Sequence, residues 1–182
     1  MDLTQLIDAL HNDYVPTLAQ AFARQNATDG HVAHEITVRS STGRLYTIDI
    51  AFTADGRITK VVEVQGMDRL YPGATAFTYG PMELQFDATA WDAMHFSPAP
   101  PITDHTAIDD WTVWWMDIDA LHRTDAAAPL DGIIHDFGWR DDGSFDVDFG
   151  SSPPDAIFAL LTILVDEGTT HLDISTARLP PR

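Results

Sequence analysis

The sequence predicts an α+β domain: a single, mainly antiparallel sheet, made of a β-meander plus a second hairpin, with an N-terminal and a C-terminal helix packed on one face. Three observations predict it. Apolar residues recur at helical spacing near both ends of the chain. Alternating segments flank hairpin signals at Asp55-Gly56 and Asp141-Asp142-Gly143. The 182 residues are 45% hydrophobic and 10% aromatic, enough to fill one core.

The elements follow in order. Leu3, Leu6, Ile7, Leu10, Tyr14, Leu18, Ala21 and Phe22 mark a helix over about 3–25, which Pro16 either kinks or divides. A meander is expected next, with strands near His31–Arg39, Arg44–Thr53 and Arg57–Val64. It turns at Ser41-Thr42-Gly43 and at Asp55-Gly56. Residues 66–82, carrying Gly66, Pro72, Gly73, Gly80 and Pro81, read as loop with short strands at Ala76–Tyr79 and Glu83–Phe86. This Gly/Pro-rich loop joins two sub-halves, 1–81 and 82–176, of one domain spanning 1–182.

Residues 88–95 read as one or two helical turns. Ser97-Pro98-Ala99-Pro100-Pro101 reads as an extended linker or functional loop. The aromatic and β-branched run Trp111–Ile118 predicts a strand. Gly132–Trp139 and Ser144–Phe149 form the second hairpin. Pro153-Pro154-Asp155 opens a helix to about Asp166, capped by Ser151 or Ser152 and ended by Gly168. Thr170–Ile174 is a last strand.

Charge is the most uneven feature. There are 28 acidic and 10 basic side chains, a net charge of −18, and 24 of the acids are aspartates. Residues 1–81 carry nine acids and six bases; residues 82–176 carry nineteen acids and only Arg123 and Arg140. With one lysine and scattered arginines, the chain lacks the basic patches that hold nucleic acid or an anionic membrane surface. A basic protein is the natural counterpart of such a surface. Without cysteine, disulfides and thiolate chemistry are excluded. The N-terminus lacks the cationic start and apolar core of a signal peptide, so a cytoplasmic protein is expected.

Two constellations stand out. Asp109, Asp110, Trp111, Trp114, Asp117, Asp119, Asp141 and Asp142 combine carboxylates with indoles. That pairing suits a cationic protein surface, through ion pairs and cation–π contacts. Asp117, Asp119, His122 and His135 offer oxygen and imidazole donors for a divalent metal, but at no established ligand spacing. Nucleophilic catalysis has no G-x-S-x-G elbow to support it. Ser151-Ser152, near His135 and Asp136, are better explained as helix caps.

The expected function is therefore an acidic protein-binding module rather than an enzyme, with no cofactor. Its most concrete form is an inhibitor that neutralises a basic partner such as a toxin or nuclease. Immunity proteins of bacterial competition systems share this small, cysteine-free, acidic profile. A metal-dependent hydrolase built on the Asp/His cluster is the first alternative. A small-ligand-binding or structural domain is the second.

Overall fold

The computed structural model describes residues 1–28, 32–41, 43–65, 74–118 and 130–177. The first helix, α1 (Leu3–Thr28), is unbroken at Pro16, which lies on its exposed side. Its buried stripe, Leu6, Ile7, Leu10, Tyr14 and Leu18, keeps the three- and four-residue spacing of one helical face.

The meander follows as β1 (Val32–Arg39), β2 (Leu45–Ala54) and β3 (Arg57–Val62), a three-stranded antiparallel sheet in that order. The second sheet has six strands: β4 (Thr75–Tyr79), β5 (Met82–Phe86), β6 (Met94–Ala99), β7 (Asp136–Trp139), β8 (Phe145–Asp148) and β9 (His171–Thr176). Their order is β4-β5-β9-β6-β8-β7. The last strand enters the middle of this sheet, parallel to β5 and antiparallel to β6.

The expected single antiparallel sheet with two helices on one face is thus incorrect. Among the described residues there are two sheets, the larger one is mixed, and a third helix, α2 (Thr106–Trp115), stands where a strand was expected. Aromatic and β-branched content suggested the strand. Spacing decided otherwise: Ile108 and Trp111 are buried, Trp115 half-buried, and Val113 and Trp114 exposed, a three- and four-residue pattern. Asp104 Oδ1 accepts from Thr106 N at 3.0 Å and so satisfies one free amide at the start of α2.

The expected helical turns at 88–95 are replaced by a bridge between Ala90 and Ala93 and by the start of β6. The proline-rich segment joins that strand instead of forming a linker. Pairing of β6 with β8 ends at Phe96, so Pro98 has a registered partner only on β9, where the loss of one donor is tolerated. The final helix, α3 (Asp155–Asp166), has the expected bounds, and Gly168 (φ +85°) follows its C-cap residue Glu167.

One apolar cluster takes residues from both halves of the chain. It holds the α1 stripe, Leu84 and Phe86, Met94 and Phe96, Phe145 and Val147, Leu172 and Ile174, and Ile157, Leu160 and Leu164 of α3. Among the described residues, no helix is long and apolar enough to cross a membrane.

Candidate functional site

The two sheets meet at the edge of β7, and a charged cluster is buried in the junction. The register of the β1–β2 hairpin runs through His34–Ile50 and Ile36–Ile48 and skips Glu35 and Asp49, which lie between those pairs. Two carboxylates on adjacent strands repel. Here the His135 ring stands between them. Its Nε2 is 2.8 Å from Glu35 Oε1 and its Nδ1 is 2.8 Å from Asp49 Oδ1. All three side chains are almost completely buried.

Neighbouring groups fix the carboxylates. Ser151 Oγ donates to Glu35 Oε1, and the Asp131 amide donates to Glu35 Oε2. Val64 N donates to Asp49 Oδ2 at 2.6 Å. Glu35 sits at φ +48°, a left-handed conformation that costs a residue with a side chain about 1–2 kcal/mol. The surrounding bonds hold it there. Ser151 Oγ also accepts from Gly132 N and Ile133 N at 2.9 and 3.2 Å, which shapes the loop before β7. The expected serine caps of α3 are therefore incorrect: Ser151 serves this cluster, and Ser152 Oγ donates to Phe149 O.

Burial alone would push the His135 imidazolium towards neutrality. The adjoining carboxylates of Asp49 and Glu35, with the charge of Asp148, outweigh it and raise the pKa from 6.5 to about 10. The ring is thus held as an imidazolium at neutral pH, with Nε2 hydrogen-bonded to Glu35 and Nδ1 at ion-pair distance from Asp49. A second link lies beside it: Arg44 Nε and Nη2 reach Asp136 Oδ1 and Oδ2 at 3.2 and 2.6 Å, a bidentate pair between the meander and β7. Thr47 N donates to His135 O at 2.7 Å, so the backbones also join there.

The eight residues expected to meet a partner separate into three groups. Asp109, Asp110 and Trp114 are exposed on α2, and Asp141 and Asp142 are exposed in the β7–β8 turn. These two segments adjoin. Trp139 Nε1 donates to Asp109 Oδ1 at 3.1 Å, and its ring stacks on His105 at 3.8 Å. Trp111 and Asp117 are buried, which corrects their expected place on the surface. Trp111 belongs to the inward stripe of α2 and donates from Nε1 to Ala156 O at 3.1 Å. Asp119 lies outside the described residues.

Of the expected metal donors, Asp119 and His122 lie outside the described residues, and Asp117 is buried at a positive φ of +46°. His135 is buried between two carboxylates, with Nε2 hydrogen-bonded to Glu35 and Nδ1 2.8 Å from Asp49, and so lies in a set of residues other than the expected one. His34, Glu35 and Asp131 do bring one donor atom each within 4.8 Å of one another. The oxygens of Glu35, however, already accept from His135, Ser151 and the Asp131 amide, an arrangement that anchors a loop.

Sequence reasoning missed Glu35 and Asp49. The signal was present: the β1–β2 pairs join residues whose numbers total 84, which brings these two acids to the same step of the hairpin. Comparison of the chain with family models, with curated proteins and with solved structures finds no match.

The raised His135 pKa couples charge to folding. The unfolded imidazole titrates near 6.5 and the folded one near 10, so the contribution is complete below pH 6.5 and lost as pH rises through 10. Urea midpoints are expected to fall steadily from pH 6.5 to 10 in the natural chain, and to fall less steeply in His135→Gln. Gly150 gives a second test. A Cβ there would lie 2.1 Å from His135 Cδ2, at a φ of +49°. Gly150→Ala is expected to cost about 3 kcal/mol in denaturant titration, the upper range for overpacking a tight site.

Proposed function

We propose that this chain is a protein-binding module that docks on a cationic protein surface through the outer face of α2 and the adjoining β7–β8 turn. One observation carries this reading. Trp114 is 56% exposed and Val113 is 46% exposed, on the same helix as the exposed carboxylates of Asp109 and Asp110. An indole held in water beside carboxylates can take an arginine or lysine head on its face while the acid pairs with the charge. Asp141 and Asp142 extend the anionic rim.

The rest of α2 favours a rigid docking element. Its inner stripe is packed, Trp111 is hydrogen-bonded to α3, and Asp109 is bonded to Trp139. Little side-chain entropy would be lost on binding. A net charge of −18 would speed encounter with a basic protein. Inhibition of a basic toxin or nuclease is the concrete form of this proposal, since such enzymes carry the cationic clefts that match it.

The test is affinity capture from cells of the source organism with the natural chain and with Trp114→Ala, followed by measurement of the captured complex. A basic protein is expected with the natural chain. Its affinity should fall by about 2 kcal/mol or more in Trp114→Ala, as for an interfacial anchor, and its association rate should fall steeply with salt. Equal capture by both proteins, or an association rate indifferent to salt, would overturn the proposal.

A further inference from the structure

A second polar network, separate from the α2 surface, lies on the larger sheet. Along β6 the side chains alternate: Met94, Phe96 and Pro98 are buried, while His95 and Ser97 are half-buried on the opposite face. Ser97 Oγ lies 3.0 Å from His95 Nε2. His95 Nδ1 lies 2.7 Å from Asp146 Oδ1, its registered neighbour on β8. Asp146 Oδ2 is held by Arg140, through Nε at 3.0 Å and Nη2 at 2.7 Å.

These contacts fix the proton positions. A carboxylate paired with a guanidinium is ionised and can only accept. His95 Nδ1 must therefore carry a proton. In the neutral ring Nε2 is then bare and accepts the Ser97 hydroxyl proton. The order is hydroxyl, imidazole, carboxylate, the sequence of contacts that activates a serine nucleophile, with Arg140 steadying the acid. The His95 side chain is 19% exposed, so the network is open to solvent.

The surroundings indicate the charge of a substrate. Asp173 is the registered partner of Ser97 on β9, and its side chain is 60% exposed. Glu83, in register with His171 one strand further on, is 79% exposed. His171 stands between them, with Nε2 3.1 Å from Asp173 Oδ1 and Nδ1 3.9 Å from Glu83 Oε2, so the face beside Ser97 carries two carboxylates to one imidazole.

We propose that Ser97 is an activated nucleophile, with His95 as its general base and Asp146 as the orienting acid, and that it accepts the acyl group of esters of cationic alcohols. Ser97 Oγ bonds to the ester carbonyl carbon as its proton passes to His95 Nε2. The bond from carbonyl carbon to alkoxy oxygen then breaks, and the alcohol leaves with the proton from His95. Water repeats the relay on the acyl-serine, releasing the carboxylic acid and restoring Ser97.

The test treats the full chain with a fluorophosphonate probe and maps the adduct by mass spectrometry. It then compares hydrolysis of a choline ester with that of the neutral 3,3-dimethylbutyl ester of the same acid. The label is expected on Ser97, absent in Ser97→Ala and in heat-unfolded natural chain. It should be slowed about 10²-fold or more in His95→Gln, the size of a general-base contribution. The choline ester should be cleaved faster than its neutral counterpart. Circular dichroism of Ser97→Ala should match the natural chain, so that loss of label reads chemistry and not folding. No label on Ser97, or labelling indifferent to His95→Gln, overturns the nucleophile. Equal cleavage of the two esters overturns the substrate class.

Discussion

The architecture depends on one buried imidazolium. Glu35 and Asp49 are both buried at a skipped step of the β1–β2 register, and the His135 ring between them offsets the repulsion of two buried acids. The cation comes from the other sheet. His135 precedes β7, so the charge that settles the β1–β2 hairpin also attaches it to the six-stranded sheet. Gly150 yields space for the ring, and Trp91 Nε1 donates to Gly150 O at 3.0 Å, which ties the site to the apolar core. The ring's energetic role is conditional. Removing one member of such a set typically costs about 3–5 kcal/mol, because the remaining charges stay buried without their partner.

This arrangement also changes the meaning of the acidic composition. A net charge of −18 suggests a surface covered with carboxylates. Yet Glu35, Asp49, Asp117, Asp136, Asp146 and Asp148 are all buried. Asp136 meets Arg44 and Asp146 meets Arg140 and His95, so scarce cations are spent on interior acids. Other acids stay exposed, among them Asp109, Asp110, Asp141 and Asp142 on α2 and in the β7–β8 turn, and Glu83 and Asp173 on the larger sheet. Division of the acids between the interior and the surface gives one composition two physical roles.

Much of the local structure was legible in the sequence, and the parts that were not have physical causes. The meander and α3 could be read because alternation, Asp-Gly turns and a Pro-Pro-Asp start are local signals. The α2 segment was misread because Trp, Thr and Val favour strands by composition, whereas burial of Ile108 and Trp111 three residues apart required a helix. Insertion of β9 between β5 and β6 is a tertiary choice, made by packing across some ninety residues of chain, and no short window records it. The same holds for the sites. Trp114 and its acids were visible as a cluster, but which of the indoles would turn outward depended on the helix. The partners of His135, and the meeting of His95 with Asp146, arise from pairing between distant segments, whereas Ser97 and His95 are neighbours on one face of β6.

The charge state of His135 tests this account most directly. Ring-nitrogen chemical shifts from ¹⁵N-labelled protein should show both nitrogens protonated at pH 7 and still so at pH 8.5, with neutralisation only towards pH 10. A neutral ring at pH 7, with one nitrogen bare, would contradict a buried imidazolium as the joint between the two sheets.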